Sequence, residues 1–198
     1  MPNTKFNNLR VAVLATDGFE EVELTSPVKA LRAAGAQVDI ISLKSGSIQG
    51  AQHAEKGAQV KVDKTLDETT AADYGALLLP GGALNADTLR VDLRVKHFIA
   101  DMDGAGKPIA FICHAPWELI SARCVEGRTL TGYHTIQDDI RNAGGNWVDR
   151  EVVRERNWVS SRQPSDLPAF EREMLDLFAT CQPTQTGSAH AGSAVSKS

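Results

Sequence analysis

The chain has 198 residues, of which 42% are hydrophobic and 23% are charged, and its formal net charge at pH 7 is −4. This size and composition are enough for one well-packed core, whereas the acidic balance and the scattered Lys and Arg residues argue against a nucleic-acid surface. No stretch reaches the apolar length of a membrane span, and the polar residues 1–8 lack the apolar core of a signal peptide. We therefore expect a single cytoplasmic domain over residues 1–180, without nucleic-acid or membrane partners, followed by a disordered tail over residues 181–198.

The three cysteines, Cys113, Cys124 and Cys181, form no Cys-x-x-Cys pair. Their odd number is typical of a reducing compartment rather than of a disulfide framework. The histidines are not spaced from the cysteines as metal ligands usually are, so we expect neither a metal site nor a cofactor.

Apolar periodicity predicts strands that alternate with helices from the N-terminus onward. Residues 9–16 form a nearly continuous apolar run and are predicted to be a central strand, and residues 20–34 have the spacing and the first-turn carboxylates of a helix. Pro27 lies inside that helix and predicts a kink or a short break. The next strand is predicted at residues 38–43, which completes a right-handed βαβ unit.

The Gly-, Ser- and Gln-rich residues 44–57 are predicted to be a surface excursion, followed by a short strand at residues 58–62. A buried strand at residues 76–79 stops just before Gly81 and Gly82, where the backbone can bend sharply or approach a ligand closely. The remaining predicted elements are a helix over residues 92–105, a strand at 109–112, a helix from 116 to about 123, a strand at 129–133, a helix over 136–143, a hairpin of 151–154 with 158–161, and an amphipathic helix over 167–181.

This alternation predicts an α/β fold with a mostly parallel sheet that is covered by helices on both faces. Sites in such sheets form in the crevice beyond the carboxyl ends of the strands. Three segments reach that edge: residues 17–23 after the first strand, residues 80–87 after the strand at 76–79, and Cys113 with His114 after the strand at 109–112. We expect the three segments to converge on one site.

Cys113 lies at the junction between a buried strand and the helix that follows. In a strand-turn-helix elbow, the amides of His114 and Ala115 point toward the side chain at the turn, and the helix dipole favours a thiolate. These amides, together with those of Gly81 and Gly82, are candidates for holding an oxyanion on a carbonyl that the sulfur attacks. The alternative is a buried cysteine that serves only packing.

A thiolate nucleophile also needs a group that manages protons. His114 is the first candidate by proximity, and a histidine that only caps the loop is the alternative. Glu20, Glu21 and Glu23 form an acidic cluster at a helix start, where carboxylates also occur simply because they complement the helix dipole. The residues alone do not decide among these groups.

Four motifs occur in order along the chain: Asp17-Gly18-Phe19-Glu20-Glu21-Val22-Glu23, Leu78-Leu79-Pro80-Gly81-Gly82, Phe111-Ile112-Cys113-His114-Ala115-Pro116, and Trp158-Val159-Ser160-Ser161-Arg162-x-Pro164-x-Asp166-Leu167-Pro168. Together they resemble the PfpI family of intracellular proteases, within a superfamily that includes the parkinsonism-associated protein deglycase and bacterial general stress proteins. The resemblance covers residues 9–178. It implies a flavodoxin-like three-layer sandwich that is usually dimeric or hexameric.

For the site, the resemblance implies that Cys113 is the nucleophile, that Glu20 is the carboxylic acid that hydrogen-bonds to its sulfur, and that His114 is the histidine that follows the cysteine. Asp87 matches the acidic residue that orients this histidine from a neighbouring subunit. The chain departs from the family pattern at Ala115, where glycine is usual. We therefore expect weak peptide hydrolysis.

The resemblance and the motifs together lead us to expect a cofactor-free cysteine hydrolase that acts in stress response and forms a homo-oligomer. Its substrate is either a reactive carbonyl compound such as methylglyoxal or a glycation adduct, as for a glyoxalase or a deglycase, or a peptide. The alternative is a non-enzymatic redox sensor or chaperone-like stress protein in which Cys113 is oxidised. A glutamine amidotransferase-like domain would need a catalytic His and Glu close together near the C-terminus, and no such pair is visible.

Overall fold

The computed structural model describes residues 5–6, 8–53 and 55–180. The strands in these ranges are β1 (Arg10–Leu14), β2 (Phe19–Glu20), β3 (Gln37–Ser42), β4 (Ser47–Gln52), β5 (Glu55–Lys61), β6 (Lys64–Thr65), β7 (Ala76–Leu79), β8 (Ile109–Ile112), β9 (Thr129–Leu130), β10 (Asn146–Trp147), β11 (Val152–Glu155) and β12 (Trp158–Ser161). The α-helices are α1 (Glu21–Ala33), α2 (Ala83–Leu89), α3 (Leu93–Gly104), α4 (Pro116–Ser121), α5 (Gln137–Asn142) and α6 (Leu167–Phe178).

The main sheet contains seven strands in the order β11-β12-β8-β7-β1-β3-β6. All neighbouring pairs are parallel except the β11–β12 hairpin at one edge. The central strands β1, β7 and β8 are buried along almost their whole length, as expected for strands that are covered on both faces. The predicted α/β fold of the flavodoxin-like type is confirmed.

The sheet divides the apolar core into two layers, because successive side chains of a strand point to opposite faces. Val11 and Val13 of β1 pack in one layer with the buried faces of α1 and α6, whereas Ala12 and Leu14 pack in the other with α3, α4 and α5. Each fully buried Val, Leu, Ile, Phe or Met side chain contributes about 1.5–3 kcal/mol to this packing. The two layers hold the carboxyl ends of β1, β7 and β8 side by side.

Two segments differ from the sequence prediction. Helix α1 continues through Pro27, so of the predicted kink or short break the break does not occur, because Leu24 and Val28 beside Pro27 are buried and their packing outweighs the lost hydrogen bond. Residues 44–57 lie largely at the surface, as predicted, but they are not irregular: they supply all of β4 and the start of β5, which form an antiparallel hairpin, and β4 also pairs with β2. Non-local pairing of this kind leaves little periodic signal in a short polar segment.

The C-terminal helix α6 begins at Leu167, where the sequence pattern predicts it, and ends at Phe178. Cys181 and the predicted tail over residues 181–198 lie outside the described residues. Within the described ranges, no helix is long and apolar enough to cross a membrane.

Glu118 lies on α4, which packs against α2, α3 and α5. Its side chain is completely buried, and neither carboxyl oxygen has a hydrogen-bond partner among the described residues. Burial therefore raises the pKa of Glu118 well above its ordinary value, and the folded protein favours the neutral acid.

Replacing Glu118 by Leu should raise the free energy of unfolding by about 1–3 kcal/mol, because it removes an unpaired buried polar group. The gain should be larger at pH 8 than at pH 5, since a carboxyl with a raised folded-state pKa makes the wild type lose stability as the pH rises above 4.5. Urea unfolding at both pH values measures the effect, and Glu118→Gln is the control that keeps the shape without the titration. A gain of equal size at both pH values would contradict the pKa shift.

Candidate active site

Cys113 occupies a sharp turn between β8 and α4. Its backbone φ is 63°, a left-handed conformation that non-glycine residues rarely adopt and that often marks functional sites. The turn is fixed on both sides, because the Cys113 N–H donates to the Ser161 carbonyl at 3.1 Å and the Cys113 carbonyl accepts from the Tyr133 N–H at 2.8 Å. The sulfur is thus held at the carboxyl edge of the sheet.

The loop after β7 lies directly against this turn and requires glycine at two positions. A Cβ atom on Gly81 would lie 2.5 Å from Cys113 Cβ and 2.2 Å from Glu23 Oε2. Gly82 has a φ of 96°, and a Cβ atom there would lie 2.3 Å from the Gly18 carbonyl oxygen. The two glycines allow the segments that follow β1, β7 and β8 to meet at one point, as the strand order requires.

A cavity of about 530 Å³ opens at this point. Cys113 and Glu23 line it together with His114 and Tyr133, and the β4–β5 hairpin contributes His53. The remaining lining residues are Gly18, Glu20, Ala51, Gly82, Ala83, Leu84, Gln163, Pro164 and Ser165. Among the described residues, no group of three or more His, Cys, Asp or Glu side chains is arranged to hold a metal ion.

The carboxyl group beside the sulfur is that of Glu23, and the expectation that Glu20 hydrogen-bonds to Cys113 is wrong. Glu23 is completely buried, and its Oε2 accepts the Gly81 N–H at 3.0 Å. Its Oε1 is buried without a well-aligned hydrogen-bond partner in the described chain, while the carboxyl group lies within interaction range of the Cys113 thiol. The missed signal is helical spacing, since Glu23 shares the buried stripe of α1 with Pro27.

The other two carboxylates of the acidic cluster face the β4–β5 hairpin. Glu20 belongs to β2, and its Oε2 accepts the His53 N–H at 3.2 Å. Glu21 accepts the backbone N–H of Ala58 and, at 3.2 Å, a side-chain N–H of Gln52. Three nearly consecutive carboxylates therefore have three different surroundings, because a strand ends and a helix begins among them.

The amides that were candidates for an oxyanion site divide into two pairs. The backbone N–H groups of Gly82 and His114 point at the Cys113 sulfur and lower the pKa of its thiol. The Gly81 N–H is taken by Glu23, and the Ala115 N–H donates to a carbonyl oxygen at the end of β8 at 3.1 Å. Of these four amides, the first pair is therefore directed at the sulfur and at any group bound to it.

His114 is in direct contact with the nucleophile candidate, since its Nδ1 lies 3.2 Å from Cys113 Sγ. Its ring packs against Tyr133, with 4.8 Å between ring centroids. Burial, and to a lesser extent the charge of His134, lowers the pKa of His114, so the neutral imidazole that accepts a proton is favoured at pH 7. Asp87 does not line the cavity and lies on the exposed surface of α2.

The sequence profile of the DJ-1/PfpI family matches residues 9–177. The chain belongs to the DJ-1/PfpI family. It is 46% identical over 170 residues to Protein/nucleic acid deglycase 2 of Escherichia coli, a match that covers 85% of this chain and 97% of the relative. It is 41% identical over 171 residues to General stress protein 18 of Bacillus subtilis, with 85% and 97% covered. The crystal structure of Drosophila melanogaster DJ-1beta matches with a TM-score of 0.78 at 25% identity, covering 87% of this chain and 91% of that chain.

In this DJ-1/PfpI chain, the sulfur and the carboxyl group titrate as a pair. Burial, reinforced by the charge of Glu20, raises the pKa of Glu23 to about 8. Burial also raises the pKa of the Cys113 thiol, and an ionised Glu23 would raise that pKa further. The helix dipole alone therefore does not make Cys113 a thiolate, contrary to the sequence-based expectation. At pH 7, however, Glu23 is mostly protonated and can donate to the sulfur, which favours the thiolate.

If a protonated Glu23 stabilises the Cys113 thiolate, removing its hydrogen-bond donor should slow alkylation of Cys113, whereas an uncharged donor at the same position should preserve it. Glu23→Leu, which deletes the donor, should slow iodoacetamide alkylation of Cys113 at pH 7 about tenfold, corresponding to a rise of about one unit in the thiol pKa. Glu23→Gln keeps an uncharged donor and should stay within about threefold of the wild type. Mass spectrometry of the Cys113 peptide separates its alkylation from that of the other cysteines. Faster alkylation of the Leu variant would mean that Glu23 is ionised and repels the thiolate.

Proposed function

We propose that the chain is a cysteine hydrolase with Cys113 as nucleophile and with reactive carbonyl compounds, or the adducts that they form, as substrates. The observation that carries the proposal is the position of the sulfur, 3.2 Å from His114 Nδ1 and beside the buried carboxyl of Glu23, in a cavity large enough for a small substrate. The relatives named as a deglycase and as a general stress protein support this chemistry and a role in stress response.

The first step is addition of Cys113 Sγ to an aldehyde carbon. A C–S bond forms, the carbonyl π electrons move to oxygen, and the thiol proton reaches that oxygen through His114, so the product is a neutral thiohemiacetal. In this proposal the N–H groups of Gly82 and His114, which are directed at the sulfur, stabilise the developing negative charge on the carbonyl oxygen. No charge is left in the buried site at the end of the step.

With methylglyoxal, the overall reaction balances without an external oxidant or reductant. A proton moves from the thiohemiacetal carbon to the neighbouring ketone carbon, and the hydroxyl proton of the thiohemiacetal moves to the former ketone oxygen, which gives a thioester of lactate. Water then adds to the thioester carbonyl, and the C–S bond breaks as the sulfur takes up a proton. The sum is methylglyoxal plus water giving lactate, and the thiol is restored. His114 and Glu23 are the titratable groups within reach of these proton transfers.

A peptide is the alternative substrate, and we propose that its hydrolysis is weak. Cleavage of an amide requires stronger stabilisation of the oxyanion than addition to an aldehyde does, and the Ala115 N–H is already taken by a carbonyl oxygen. A redox sensor is the rival from another class, because a protonated Glu23 would also hydrogen-bond a sulfenic or sulfinic acid at Cys113. Turnover separates the two classes.

We further propose a cytoplasmic homo-oligomer, a dimer or a hexamer, in which Asp87 of one subunit orients His114 of another. Asp87 is exposed on α2 and is therefore available to a second copy. Leu84, Val91 and Leu93, near it along the chain, are exposed to 72%, 69% and 66%, and apolar side chains exposed to this extent favour burial in an interface.

Cys113→Ser should abolish the conversion of methylglyoxal to lactate, and His114→Asn should lower kcat about 10²–10⁴-fold because a positioned proton carrier is lost. Lactate formation and release of labelled peptides, measured on the same samples, identify the substrate class. Cys124→Ser is the matched control and should keep wild-type rates. Turnover that survives Cys113→Ser would exclude the proposed nucleophile.

The role of Asp87 predicts complementation between subunits. Asp87→Asn alone should reduce kcat while alkylation of Cys113 stays at the wild-type rate. Mixed oligomers with an inactive Cys113→Ser subunit should recover part of the activity, since that subunit still supplies Asp87 to its neighbour. Refolding the two variants together and measuring turnover tests this, and no recovery in mixtures that form proven hetero-oligomers would contradict a shared site.

A further inference from the structure

The cavity above Cys113 has an outer part that the proposed reaction does not use. Here the His53 N–H donates to Glu20 Oε2 at 3.2 Å, and His53 Nδ1 lies 3.7 Å from Glu20 Oε1. Both residues line the cavity. The side chain of Glu20 is 14% exposed and that of His53 is 87% exposed, so the carboxylate lies within the rim and the imidazole lies largely in solvent.

No fixed cation compensates this carboxylate in the cavity lining. None of the described side chains that line the cavity is Lys or Arg. Arg162 adjoins the lining residues in sequence, but its guanidinium donates to Asp166 at 2.9 Å and to Asp149 at 2.7 Å. The charge of Arg162 is therefore balanced by these two aspartates and does not compensate that of Glu20.

The deeper titratable groups add little charge at pH 7. Burial lowers the pKa of His114 and raises the pKa of Glu23 to about 8, so both groups are mostly neutral there. Glu20 acts across the cavity, since its charge is the second cause of the raised pKa of Glu23. Apart from the sulfur itself, Glu20 is therefore the one carboxylate of the described lining without a lysine or arginine partner in that lining, and its charge favours cationic over anionic groups at the mouth of the cavity.

The position of Glu20 is fixed by backbone pairing, because Glu20 lies opposite Ala51 in the short parallel pair of β2 with β4. The neighbouring Glu21 carries the same charge but holds the hairpin through Ala58 and does not line the cavity. Glu21 is therefore the matched control for Glu20: the two side chains carry the same charge, but only that of Glu20 faces the cavity.

We propose that Glu20 selects substrates by charge at the mouth of the Cys113 cavity. It disfavours carbonyl compounds that carry a carboxylate or phosphate, and it favours neutral ones and those attached to an ammonium or guanidinium group. This inference rests on the proposed function and names the substrate class of that site. Aldehydes with a separate ammonium or guanidinium group belong to the favoured class, and 2-oxo acids belong to the disfavoured class.

The test measures the potential at the sulfur without any turnover. The chain is treated at pH 7 with a cationic and an anionic methanethiosulfonate reagent of similar size, and modification of Cys113 is followed by mass spectrometry. The cation-to-anion rate ratio is divided by the same ratio for 2-mercaptoethanol. Because both reagents use the same sulfur, any change in its intrinsic reactivity cancels.

The normalised ratio should be about tenfold above unity in the wild type and should fall at least about threefold in Glu20→Gln, with little change in Glu21→Gln. A wild-type ratio at or below unity overturns the proposal even if a variant does not fold, and so do equal shifts in the two variants. Failure of the hydrolase proposal is seen separately, as absence of turnover in a chain whose ratio is as expected.

Discussion

The close approach of three backbone segments at Gly81 is the constraint on which the site depends. Gly81 lies between the buried carboxyl of Glu23 and the turn at Cys113, and a single methyl group there would overlap both. Its N–H also holds one oxygen of the carboxyl at 3.0 Å. Because Gly81 has no side chain, the carboxyl group of Glu23 and the thiol of Cys113 can lie close together, and the Gly81 N–H orients that carboxyl group. One residue thus sets both the distance between the two groups and the orientation of the acid.

The parallel sheet provides the setting for this contact. Because β1, β7 and β8 are adjacent and run in the same direction, the segments that leave them emerge at one edge: the acidic turn and α1, the double-glycine loop, and the cysteine turn. The strands are buried on both faces and cannot shift register cheaply. Because the connections from these strands to the site are short, the packed sheet fixes the positions of the site residues. The strained φ of Cys113 is held by backbone hydrogen bonds with two further segments.

The sequence predicts the buried strands and the convergence of their ends, because long apolar runs and glycine pairs are local signals. It predicts a strand at residues 58–62, which overlaps β5, but it does not predict β4 or the hairpin, because β4 forms by pairing with β5 and, through Gly50 and Ala51, with β2. The sequence pattern leaves Glu20, Glu21 and Glu23 open, because all three lie at a helix start whose exact first residue decides which carboxylate turns inward. The assignment of Glu20 came from the family resemblance alone and is wrong, since Glu23 lies beside the sulfur. The buried stripe of α1 that Glu23 shares with Pro27 carries the missing information.

Two buried carboxyl groups, Glu23 and Glu118, show that a raised pKa alone does not identify an active site. Burial is the largest cause of the raised pKa in both residues, and burying either carboxyl group destabilises the folded protein. Glu118 has no partner among the described residues and is surrounded by helices. Glu23 lines a cavity and lies beside a thiol, so its proton can be exchanged with a reacting group. What makes a buried acid useful is therefore the nucleophile and the open space beside it, and in this fold the glycine loop after β7 supplies that access to Glu23.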